Sequence, residues 1–238
     1  QLASGLATIA ILAATLAPSD HWWLVELGQK VGQPRGGEGV VVAVIDTGID
    51  VTHLDLASTV IGGADFSRVG TPEGTTPVGS SGYHGTMVAS LIAGQGLESG
   101  GIIGVAPGAK LLSVSVGLGV ESSDTDAQIA AAIIWSVDAG ADVINLSLSR
   151  NSSTWPISWD NAFLHAFEND VVVIAASGND SEGNYWPAAP ATIPGVISVT
   201  GLNKDLEATL LSGTTGLDVT LSAPGAGLFG SYPGNQIA

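Results

Sequence analysis

The sequence predicts an α/β fold built on a doubly wound, mostly parallel sheet. Three observations carry this. Short apolar runs rich in β-branched residues recur at 40–45, 110–116, 143–148, 171–176 and 196–200. Each ends at a polar or glycine-rich turn, and near-continuous apolar runs are how strands buried on both faces read. Helix-like segments lie between the runs, and strands alternating with helices imply right-handed crossovers within one sheet.

Residues 1–17, QLASGLATIAILAATLA, form the only long apolar run. They lack a basic flank and fall short of the ~20 apolar residues that a spanning helix needs. Leu2, Leu6, Leu12 and Leu16 sit near helical spacing. We expect residues 1–20 to be a separate apolar segment, either a helix packed on the body or a pro-segment remnant, with no membrane span; residues 21–238 carry the sheet. The run at 40–45 delivers Asp46 to a strand's carboxyl end. The first helix, from His84 to about Gly94, stops at that glycine. The second, from Asp126 to about Ala139, stops at Gly140 and places Ile129, Ile133, Ile134 and Val137 on one face. The third, from Trp159 to about Glu168, carries Phe163, Leu164 and Phe167. Ligands of such sheets bind outside the carboxyl ends of the strands, so the residues following each strand are the candidates for chemistry.

Composition narrows the function classes. The chain has 238 residues, 45% of them hydrophobic, which suits one α/β domain or two small ones. Six Lys and Arg stand against 22 Asp and Glu, for a formal charge of −16. A basic nucleic-acid footprint is therefore absent, and anionic membranes should repel this surface. With no cysteine, a disulfide framework and a thiolate metal site are excluded. The four histidines are not in metal-ligand spacing.

Three polar residues fall where chemistry is expected. Asp46 ends the first strand, in Val44-Ile45-Asp46-Thr47-Gly48. His84 opens the first helix after the glycine-rich loop 79–82. Asn179 follows the strand at 171–176, in Ser177-Gly178-Asn179. Taken singly, each has an ordinary structural reading: a turn cap, a polar surface residue and a turn residue. An Asn at this place can also aim its amide at a developing oxyanion.

Taken in order, VAVIDTGID, HGTMVAS, GVAPGAKL, GADVINLSLS, VVVIAASGND and the Ala223-Pro224-Gly225 turn resemble the subtilisin-like serine proteases, the subtilases. The resemblance runs from about Val40 to the last residue. It implies a three-layer sandwich and an endopeptidase acting on polypeptides, extracellular or otherwise extracytoplasmic, with no cofactor required for catalysis. Asp46 resembles the triad aspartate, His84 the general base and Asn179 the oxyanion-hole side chain. Ser147, Leu148 and Ser149 resemble the stretch that pairs with substrate backbone and walls the primary specificity pocket, and the loop at 119–124 would hold the opposite substrate edge. Ordinary sheet and loop is the alternative for both edges. Asp55 matches a position that often binds structural calcium, although the loop Gln95-Gly96-Leu97-Glu98-Ser99 lacks the family's usual Asn. Trp186-Pro187 matches a turn that is cis in many members. The serine-carboxyl peptidases of related fold carry Glu and Asp where this chain has His84 and Asn179.

One departure is large. In the family the nucleophile sits in a Gly-Thr-Ser-x-Ala motif opening a long buried helix, some way beyond the Ala-Pro-Gly turn. These 238 residues contain no such motif, and Ser212, before Gly213-Thr214, has the wrong order. We therefore expect 21–238 to be a subtilisin-like peptidase domain incomplete at its C-terminus, with the serine on a further C-terminal fragment of the same protein. The alternative is a pseudoprotease serving as a binding or assembly subunit. Without the helix, the sheet should expose an apolar strip.

Overall fold

A computed structural model describes residues 20–29, 36–97, 101–121, 124–150, 152–179, 186–208 and 218–238. The expectations for residues 1–19, Glu98, Ser99 and Ser212, and part of the 119–124 loop, lie outside these. Seven strands form one sheet: β1 (Val41–Asp46), β2 (Val60–Asp65), β3 (Lys110–Ser115), β4 (Val143–Leu146), β5 (Val172–Ala176), β6 (Ile197–Leu202) and β7 (Leu221–Pro224). Their order is β2-β3-β1-β4-β5-β6-β7, and every pairing is parallel. The helices are α1 (Trp22–Glu26), α2 (Tyr83–Ala93), α3 (Thr125–Asp138) and α4 (Ser158–Glu168), and a small antiparallel hairpin pairs β8 (Ser231–Tyr232) with β9 (Gln236–Ile237). The architecture is the α/β sheet that the apolar runs predict. Among the described helices, none is long and apolar enough to cross a membrane.

Four local readings change. β2 has no apolar run because Gly62 and Gly63 interrupt it; a Cβ at Gly63 would collide with the backbone of Ser113 on β3. β7 takes in Ala223 and Pro224 of the Ala-Pro-Gly motif, which reads as a turn alone, and Gly225 follows it. On α3 the buried face is Gln128, Ile129, Ala132, Ile133 and Ser136, while Ile134 is 38% exposed, since it lies roughly 100° further round the helix than Ile133. The cis peptide falls at Ala189–Pro190 and not at Trp186–Pro187.

The two sheet faces differ. On one, α3 and α4 cover Ala43, Ile45, Val114, Ile144, Leu146, Val173 and Ala175, with Trp159 and Phe163 of α4 fully buried among them. On the other, α2 sets Val88, Ala89 and Ala93 against Val42, Val44 and Leu111. The register continues this second face through Val143 and Asn145 to Val172, Ile174, Ala176, Ile197, Val199 and Leu221. Among the described helices, none covers this stretch. Their neighbours Ile144, Leu146, Val173, Ala175, Ser198 and Thr200 are buried, whereas this row is half-buried or exposed, Val172 by 43% and Leu221 by 55%. Alternation of this kind marks a sheet with one face unpacked.

Candidate active site

β1 has β3 on one side and β4 on the other, so the strand order turns back on itself at β1 and opens a crevice beyond its carboxyl end. Asp46 is the last residue of β1 and is wholly buried. Its carboxylate accepts from the Thr47 backbone N–H at 2.7 Å and from Nδ1 of His84, at 2.8 Å to one oxygen and 2.9 Å to the other. An Nδ1 facing a carboxylate carries the proton, which leaves Nε2 as the basic nitrogen. The Asp46 hydrogen bond raises the His84 pKa above the ordinary 6.5; burial opposes this, and the carboxylate's charge adds to it.

Local sequence explains the placement. His84 is the second residue of α2, whose N-terminus is pressed against the turn after β1. Two glycines permit this: a Cβ at Gly85 would run into the backbone of Gly48, and Gly48 itself has a φ of +89°. The start of α2 is also tied by side chains. Thr47 Oγ1 accepts from Gly85 N at 2.9 Å and donates to Gly82 O at 3.1 Å, and Thr86 Oγ1 accepts from Asp50 N at 3.0 Å. Behind Asp46, Ser115 on β3 donates to Asp65 at the end of β2 at 2.5 Å. Burial pushes the Asp65 carboxyl up, but hydrogen bonds from Ser115, Ser67 and Gly70 outweigh it and hold the pKa below 3.8.

A cleft of about 360 Å³ begins at His84 and runs along the bare strip of sheet. Ser147, Leu148, Ser149 and Asn179 all line it with His84, as do Asn145, Ile174 and Val199. The structure thus brings together six of the seven site residues singled out from the sequence: Asp46, His84, Asn179, Ser147, Leu148 and Ser149. Three of the six follow β4 and one follows β5.

Asp55 stands apart. It is buried, and its carboxylate accepts from Leu97 N at 3.2 Å, Ile102 N at 2.8 Å and Ser231 Oγ at 3.2 Å. Donors thus reach both oxygens of this buried carboxylate and satisfy it within the chain. Among the described residues no three His, Asp or Glu cluster as a metal site.

Sequence reasoning missed Thr47, although it lies inside the quoted motif, and the β8–β9 hairpin. That hairpin returns to α2: Ser231 N donates to Ser90 Oγ at 2.9 Å, and Tyr232 stacks on Tyr83, the neighbour of His84, at 5.0 Å between rings.

The family model described as "Subtilase family" matches residues 37–236. The chain is 37% identical over 205 residues to the thermophilic serine proteinase of Bacillus sp. (strain AK1), covering 86% of this chain and 48% of that protein. It is 34% identical over 215 residues to thermitase of Thermoactinomyces vulgaris, covering 88% of this chain and 73% of thermitase. Of solved structures, fervidolysin from Fervidobacterium pennivorans superposes with a TM-score of 0.70 at 32% identity, over 85% of this chain and 31% of that one. A mutant of the PatA protease domain superposes with a TM-score of 0.74 at 26% identity, over 87% and 74%. The chain spans about half the length, or less, of the first and third of these proteins.

Proposed function

The chain belongs to the subtilase family, and from that premise we propose that it is the larger part of a serine endopeptidase whose nucleophile is carried by a further segment. The observation that carries this is the buried Asp46 carboxylate bonded to His84 Nδ1, with His84 opening onto a cleft also lined by Asn179 and Ser147–Ser149.

In this reading Asp46 fixes the imidazole's tautomer and stabilises the imidazolium. His84 Nε2 removes the proton from a serine hydroxyl as it attacks the peptide carbonyl, then returns that proton to the leaving amine. Asn179 supplies a donor to the oxyanion. The backbone of Ser147, Leu148 and Ser149 pairs with the extended substrate, and water releases the acyl group. No cofactor is needed for these steps. Since the His84 pKa lies above 6.5, activity falls as pH drops through that raised value and is expected to be greatest in neutral to alkaline solution. The enzyme works outside the cytoplasm in this reading, and the bare strip from Val143 to Leu221 seats the segment that brings the serine.

The same strip favours a second reading, a non-catalytic subunit that uses the open face for assembly. A fluorophosphonate probe separates the two when applied to the full-length protein from its source. We expect one labelled serine in the sequence following Ala238, with labelling lost in His84→Ala. A folded full-length protein that takes up no label overturns the endopeptidase reading.

A further inference from the structure

α2 lacks an ordinary cap. Its N-cap residue is Gly82, which has no side chain to offer, and no side chain from that position bonds the first turn. The first N–H groups of a helix have no partner within it, and one left dry costs about 1–3 kcal/mol. The amide of Gly85, three residues into the turn, is where a capping Ser or Thr would reach. Here the hydroxyl comes from another element. Thr47, 1% exposed and at the end of β1, accepts from Gly85 N at 2.9 Å and passes its own proton to Gly82 O at 3.1 Å. One hydroxyl thus grips both sides of His84 along the chain. The same residue's backbone N–H holds the Asp46 carboxylate at 2.7 Å. Its carbonyl also accepts from Val78 N at 2.8 Å, anchoring the loop that leads into α2.

We propose that Thr47 is a positioning residue that sets the Asp46–His84 geometry by capping α2 from outside the helix. This deepens the endopeptidase reading and rests on it. Asp46 is rigid in β1, but His84 is only as well placed as the first turn of its helix. Without the hydroxyl, Gly85 N–H and Gly82 C=O must find other partners, and the turn carrying His84 shifts away from the carboxylate. The γ-methyl of Thr47 plays no part in these bonds, so serine should substitute for it.

The test is the NMR titration of the His84 imidazole in the 238-residue chain, with circular dichroism to establish folding. Thr47→Val, of the same shape, should lower the His84 midpoint towards 6.5 and broaden the Nδ1 proton resonance, while Thr47→Ser should keep both as in the parent. A folded Thr47→Val chain with an unmoved midpoint overturns the proposal. So does a Thr47→Ser chain whose midpoint falls as far as that of Thr47→Val. Should Thr47→Val not fold, amide exchange in the parent decides: a Gly85 N–H that exchanges as fast as an exposed loop amide refutes the cap, and a protected one upholds it. Asp46→Asn separates the two levels. If it lowers the His84 midpoint and Thr47→Val does not, Thr47 alone loses its role; if neither moves it, the Asp46–His84 pair itself is misread.

Discussion

Replacing Asp55 by alanine should destabilise the chain sharply, and in a way that calcium does not control. The carboxylate receives three donors, Leu97 N, Ile102 N and Ser231 Oγ, and is 1% exposed. Each donor stranded in a dry site costs about 1–3 kcal/mol. All three donors share one network around the carboxylate, so the costs do not add fully. A loss of about 3 kcal/mol is expected, within the range of single buried-network deletions. For a chain of this size that is a fall in Tm of roughly 6–12 °C. Asp55→Asn keeps one carbonyl acceptor and should lose less. The assay is thermal unfolding followed by circular dichroism, with urea unfolding alongside, each run in millimolar calcium and in excess chelator. The parent should melt at the same temperature in both, and Asp55→Ala should melt lower in both. A parent chain whose Tm falls in chelator as far as Asp55→Ala lowers it would refute the reasoning, because Asp55 would then act through a cation. An Asp55→Ala chain melting with the parent would refute it from the other side.

Asp46→Asn should lower the His84 midpoint, measured by NMR titration, because both the hydrogen bond and the charge that raise it are weakened while burial still lowers it. A raised histidine pKa stabilises the fold fully below pH 6.5, and that contribution fades as pH climbs through the folded value. The variant should therefore lose more stability relative to the parent at pH 6 than at pH 9, as read from urea midpoints. Phe163→Ala, at a side chain 2% exposed between α4 and the sheet, should cost about 3–5 kcal/mol by urea unfolding. Ile157→Ala, at a residue 86% exposed just before α4, should change stability by less than about 0.5 kcal/mol.

The strands buried on both faces were the most legible part of the sequence. Val42, Ala43, Val44 and Ile45 are all buried, so β1 has no polar alternation and reads as an unbroken apolar run. β2 was not legible, because its glycines answer to the close approach of the Ser113 backbone, a contact some 50 residues away that no local pattern records. Asp46, His84 and Asn179 were singled out by their places at strand and helix ends, and by the motifs around them. Thr47 sits between Asp46 and Gly48 and still escaped notice, because its partners Gly82 and Gly85 belong to another element and a threonine after an aspartate carries no signal of its own. Asp55 was singled out as a calcium position, and its identity alone does not record the backbone amides of Leu97 and Ile102 that meet its carboxylate.

The position of β1 in the sheet order also has a consequence in time. The first described strand in chain order sits between β3 and β4, both of which are made after it. Val42 pairs with Leu111 and with Val143, so its first partner arrives roughly 70 residues after it, about 3–14 s at ordinary synthesis rates. Throughout that interval a run of β-branched residues has both backbone edges unpaired, a state that invites pairing with other nascent chains. The strand that ends in Asp46 is thus the part of the newborn chain most in need of shelter, and refolding yield should fall steeply with protein concentration until β3 and β4 have closed around it.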